Sequence, residues 1–182
     1  MRFRSTGQAA VLAGALLAGS VLAASMSDAD YRGAKERIAA EYKAAAAACD
    51  KLRDNAKDVC RERAKGQERI ARAELEYNRS GEEKDATRLQ TEKADADFRV
   101  ARERCDDRSG TDRDICVTEA KTTHTKALAD AKMRHRVGEA RRDAAEDKRE
   151  ADYNLAREKC DALTGDDKAR CLADAKARFG KG

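Results

Sequence analysis

Six cysteines fall into three pairs with a single spacing, Cys49/Cys60, Cys105/Cys116 and Cys160/Cys171, each a C-x10-C motif. The pairs recur after 56 and then 55 residues, and their surroundings recur with them. Tyr42, Phe98 and Tyr153 each stand seven residues before the first cysteine of a pair, and Asp50, Asp106 and Asp161 each follow that cysteine. Ala64-Lys65, Ala120-Lys121 and Ala175-Lys176 lie four and five residues after the second. A period of this length marks a duplicated structural unit, so the chain reads as three copies of one motif.

The motif has the chemistry of a helix break. Gly110 and Gly165 stand where a helix end favours a left-handed residue, and Asp54, which tolerates that conformation, replaces them in the first copy. Asn55, Thr111 and Asp166 follow and are good N-caps. The cysteines lie five residues either side of this break, so an antiparallel hairpin sets them opposite each other. A disulfide there requires Cα atoms roughly 5.5–6 Å apart. Closing so short a loop stabilises a hairpin by roughly 3 kcal/mol in the chain-entropy model. The spacing does not suit zinc, which favours cysteines two to four residues apart, nor a C-x-x-C redox motif.

Between the pairs, Ser80-Gly81 followed by Glu83 resembles a capping box, and Gly138 marks the next midpoint. Turns near Asp54, Ser80, Gly110, Gly138 and Gly165 predict six helices of ~25 residues, each ~38 Å long, with all three disulfides at one end. A helix running straight through Gly138 would cost only ~1 kcal/mol. The expected fold is all-α: an elongated array of three disulfide-stapled antiparallel helical hairpins with coiled-coil-like packing, spanning residues 25–79, 80–137 and 138–182. Tyr31, Ile38, Tyr42, Ala45, Cys49 and Leu52 form a narrow, heptad-like seam.

Composition agrees. There is no Pro or Trp, and 41% of residues are charged. Beyond Ala24 only 22 residues are Ile, Leu, Val, Met, Phe or Tyr, too few for one large core. Ala, Glu, Lys and Arg favour helix instead. Acid-before-base pairs such as Glu68–Arg72 and Asp95–Arg99 add ~0.2–0.5 kcal/mol each.

Residues 1–24 read as a cleaved signal peptide. Arg2 and Arg4 precede an apolar run from Ala9 to Leu22, with Val21 and Ala23 as the small residues before the cleavage site. Without Arg2 and Arg4 the chain holds 37 basic and 35 acidic residues, a net charge of +2. A nearly neutral polyampholyte of this kind is not a nucleic-acid binder. An even cysteine count in an exported chain favours structural disulfides.

The remaining candidate sites are weak. His124 and His135 are eleven residues apart on one helix face, ~16 Å along the axis, so they cannot share a metal and are expected to be solvated. Lys132, Arg134, His135, Arg136, Arg141 and Arg142 form the one basic cluster, blunted by Glu139, Asp143, Glu146 and Asp147. It is the candidate contact with an anionic surface. Tyr42, Phe98 and Tyr153 are expected to be packing knobs beside the staples. Arg108 stands where the other copies have Leu52 and Leu163, and Arg170 where they have Val59 and Ile115, so the hairpins are not interchangeable. No pair of carboxylates, no nucleophile with a base and no phosphate loop is singled out. The expectation is a non-enzyme without a cofactor or small-molecule ligand.

The string Ala48-Cys-Asp-Lys-Leu…Asn55-Ala-Lys-Asp-Val-Cys60, its copies ending at Cys116 and Cys171, and Asp143–Tyr153 carry a resemblance across essentially the whole mature chain. It resembles a group of small exported helical proteins of Gram-negative bacteria with repeated C-x10-C hairpins, some labelled TolA-like cell-envelope proteins. The resemblance implies a periplasmic location and brings no active site. The expected role is structural or protein-interacting at the envelope, through other helical proteins or self-association. The alternatives are a periplasmic holdase for unfolded clients and a peripheral binder of anionic envelope polymer.

Overall fold

The computed structural model describes residues 26–181, so the expected signal peptide at 1–24 lies outside the described residues. Those residues form five α-helices and one short 3-10 turn: α1 (Asp28–Cys49), α2 (Asp54–Ser80), α3 (Glu83–Arg104), the 3-10 turn Cys105–Asp107, α4 (Gly110–Asp161) and α5 (Gly165–Phe179). Each helix packs on its neighbours in sequence, α1 on α2, α2 on α3, α3 on α4 and α4 on α5. Every other pair of elements has at most an isolated contact, apart from the 3-10 turn against α3 and α4. The molecule is therefore an open layer of antiparallel helices, not a closed bundle.

The scarcity of large apolar residues explains the openness. The buried residues are mainly alanines, Ala64, Ala73, Ala94, Ala96, Ala120, Ala131 and Ala175, with Leu75, Leu89 and three half-cystines. Alanine buries little area, and area sets hydrophobic stabilisation at ~25 cal/mol/Å². Close approach partly compensates. Gly66 on α2 meets Ala96 on α3 so tightly that a Cβ added at Gly66 would sit 2.7 Å from the Ala96 Cβ.

All three disulfides form, Cys49–Cys60, Cys105–Cys116 and Cys160–Cys171, with Cα–Cα distances of 5.6, 5.7 and 5.6 Å. The backbone takes the same path through each turn. The N–H three residues after the first cysteine donates to that cysteine's carbonyl at 3.0 Å, from Leu52, Arg108 and Leu163. An extended residue follows (Arg53, Ser109, Thr164), and then a left-handed one: Asp54 (φ 49°), Gly110 (φ 55°) and Gly165 (φ 58°).

The left-handed positions are those expected, but they open the second helix rather than close the first. Arg53, Ser109 and Thr164 are the N-caps, without side-chain capping bonds, and Asn55, Thr111 and Asp166 lie inside the first turn. At the α2–α3 turn Gly81 is the left-handed cap (φ 64°). Ser80 Oγ accepts from the Glu82 N–H and donates to Asp85, but the N-cap of α3 is Glu82, without a side-chain capping bond, so the capping box expected of Ser80 and Glu83 does not form.

Among the described residues the break expected at Gly138, and the sixth helix with it, is absent. α4 runs unbroken through Gly138 for 52 residues, ~78 Å. The residue that looks like a turn glycine makes room for the start of α3: a Cβ there would come within 2.9 Å of the Glu83 carboxyl carbon. This also moves the third staple. The Cys49–Cys60 and Cys105–Cys116 bridges share one end of the α1–α4 layer, whereas Cys160 lies ~66 Å further along α4 than Cys116. There α5 folds back, with Tyr153 and Phe179 ring centroids 6.1 Å apart and Lys181 paired to Glu150. Between the two packed regions, residues 139–152 of α4 are exposed on every side.

Candidate interaction surface

The recurrent aromatics pack as expected, each half-buried between the two helices of its own hairpin. Tyr42 of α1 faces Ala64, Gln67, Glu68 and Ala71 of α2 across a small cavity. Phe98 of α3 stacks on His124 of α4, centroids 4.6 Å apart and planes 14° apart. Tyr153 meets Phe179. His124 is thus not the solvated side chain expected: its Nε2 lies 2.6 Å from Asp95 Oδ1 and its ring is half-buried against Phe98 at the α3–α4 interface. His135 stays near the surface, 3.1 Å from Glu139.

A clamp at each turn was readable but unread. The aspartate after each first cysteine pairs with a base seven residues later, across the turn: Asp50–Lys57 at 3.2 Å, Asp106–Arg113 at 2.7 Å and Asp161–Lys168 at 2.9 Å. The recurring Lys57, Arg113 and Lys168 were the available signal. Lys57, with Arg61 beside it, holds the Asp50 carboxyl below the usual carboxylate range. At the other end of that hairpin Tyr31 donates to Glu76, and the neighbouring carboxylate raises the phenol above its ordinary value.

The basic cluster does not converge. Arg142 reaches back to Glu83 at 3.2 Å, and Arg134 lines a groove against α3 with Gln90, Lys93 and Asp97. Arg141 is exposed on the bare stretch of α4. Only Lys132 and Arg136 stand together, and they flank an apolar patch formed by Ala129, Met133, Val137 and Ala140. The chemistry of this face is therefore amphipathic. Of the seven exposed large hydrophobics among the described residues, four belong to α4: Ile115, Met133, Val137 and Leu155.

Two further cavities lie in the layer. One, about 310 Å³, lies among α1, α2 and α3, with Lys35, Arg69, Arg72 and Arg88 opposing Glu76 and Glu92. Arg69 is 3.7 Å from Glu92 there, and its Nε and Nη2 have no hydrogen-bond acceptor. The other, about 320 Å³, opens beside Phe98 and His124. Among the described residues no group of three or more His, Cys, Asp or Glu side chains is arranged to hold a metal ion.

Disulfides persist in oxidising compartments, so the three staples fit an extracytoplasmic fold. No helix among the described residues is long and apolar enough to cross a membrane. Compared with family models, curated proteins and solved structures, the chain matches none.

Proposed function

We propose that this chain is a non-enzymatic structural protein of the periplasm, exported by a cleaved N-terminal signal, which holds envelope components together through helix–helix contacts. One observation carries the reading: the longest helix keeps large apolar side chains on a face that nothing else among the described residues covers. Met133 is 56% exposed and Leu155 55%. Scattered apolar residues are ordinary on a protein surface. Here they are drawn from a chain that has very few, and they are concentrated on one element. The three staples support the same reading, because they fix helix ends that a thin core would leave frayed.

The test is site-specific photo-crosslinking in living Gram-negative cells expressing the full chain. A photoreactive residue at Met133 or Leu155 is expected to give discrete crosslinked bands in the envelope fraction, and one at Asp166 none. Silence at both apolar positions, or a chain recovered reduced from the cytoplasm, would overturn the proposal.

A further inference from the structure

The uncovered face of α4 is longer than its exposed hydrophobics alone suggest. Thr118, Thr122, Lys126, Ala129, Met133, Val137, Ala140, Ala144, Asp147, Ala151 and Leu155 follow one another by steps of four and three, and all are exposed. The mean step is close to the ~3.6 residues per turn of a straight helix, so the seam stays on one side of α4 along ~55 Å. It points away from both helices that α4 touches. The face toward α3 carries Ala120, His124, Ala131 and Gly138, and the face toward α5 carries Tyr153 and Cys160.

The positions of the seam, though not their residue types, are also nearly symmetric about its centre. About a point between Arg136 and Val137, Thr118 mirrors Leu155, Thr122 mirrors Ala151, Ala129 mirrors Ala144 and Met133 mirrors Ala140. The two charged members mirror each other with opposite signs, Lys126 and Asp147. A two-fold axis turns such a pattern into a self-complementary interface. The duplication points the same way. Thr122/Ala151 and Ala129/Ala144 occupy the places of Gly66/Ala96 and Ala73/Leu89, residues of the α2–α3 interface. Because α4 is one unbroken helix, its two halves cannot fold onto each other within one chain.

The bare stretch gains little from its own charges. At i,i+4 it sets like charges together at Glu139/Asp143, Asp143/Asp147 and Glu146/Glu150, against the opposite pairs Arg142/Glu146 and Lys148/Asp152, both in the less favourable base-before-acid order. No salt bridge joins two of residues 140–152 among the described residues.

We infer that α4 pairs antiparallel with α4 of a second copy along this seam, with the two-fold axis near Arg136 and Val137 and Lys126 of each chain facing Asp147 of the other. The inference names the first partner of the proposed scaffold and rests on that reading.

Every cysteine among the described residues is in a staple, so new thiols can be coupled selectively. Purified, oxidised Ala129→Cys protein is mixed with Ala144→Cys protein, treated with a short bis-maleimide and mapped. The expected product is a covalent heterodimer joined between those two positions, alongside a dimeric mass by light scattering. Lys126→Asp and Asp147→Lys are each expected to weaken the dimer about tenfold or more, and the double variant to restore it. A monomeric mass with no heterodimer, or no rescue by the charge swap, overturns the inference. If the monomer still crosslinks to envelope proteins through Met133, the scaffold reading survives without the dimer; if it does not, both fall.

Discussion

At Gly66 an added methyl group has nowhere to go, because the atom it meets is the Cβ of Ala96, fixed to a helical backbone. Overpacking of this kind costs ~1–3 kcal/mol, more than the ~1 kcal/mol that alanine gains over glycine in a helix. Gly138 is also helical, yet the group it meets is the mobile end of the Glu83 side chain. Glu83 can swing aside, losing only its surface pair with Arg142, an interaction of ~0–1 kcal/mol. Gly66→Ala is therefore expected to lower the Tm by a few degrees, and Gly138→Ala to leave it unchanged or raise it slightly, as measured by circular dichroism melts. Equal losses at both sites would show that the two glycines are not being used differently.

Among the elements, α5 depends most on its covalent bond. It has 15 residues and, among the described residues, packs on α4 alone, and isolated helices this short are marginal in water. Replacing Cys160 and Cys171 by serine is expected to release α5, roughly 3 kcal/mol being lost from that hairpin. Amide exchange should then rise across residues 165–179 and stay unchanged in α1–α3; a protein that loses all its helices together would contradict this. The sequence made the hairpins themselves legible, because cysteine spacing and a left-handed position between the cysteines are local, repeated signals. Gly138 was misleading for a physical reason. A glycine that opens a turn and a glycine that admits a neighbour's side chain look the same in one dimension, and only Glu83, 55 residues earlier, tells them apart. His124 was hidden in the same way, since its partners Asp95 and Phe98 sit on another helix. The α4 seam was missed because its members are mostly alanine and threonine, which become informative only once the buried faces of α4 are known.

Over the whole molecule, the packed layer of α1, α2, α3 and the first half of α4 is joined to the α4–α5 hairpin by an exposed stretch that meets its neighbours through surface pairs, Arg142 with Glu83 and Glu150 with Lys181. Regions joined in this way open separately. In protein diluted until the chains are single, amide exchange is expected to be slow in residues 120–135, fast in 141–149 and intermediate near Cys160. Uniform protection along α4 in such a sample would rule out two independent units. The staples have a further consequence for how the molecule is made. Each cysteine bonds the next one in the chain, never a more distant one. A polypeptide emerging N-terminus first therefore presents each thiol with its correct partner before any competitor from a later pair has appeared. An oxidant acting on the nascent chain would reach the native pairing directly, and reshuffling by a disulfide isomerase would have nothing to correct.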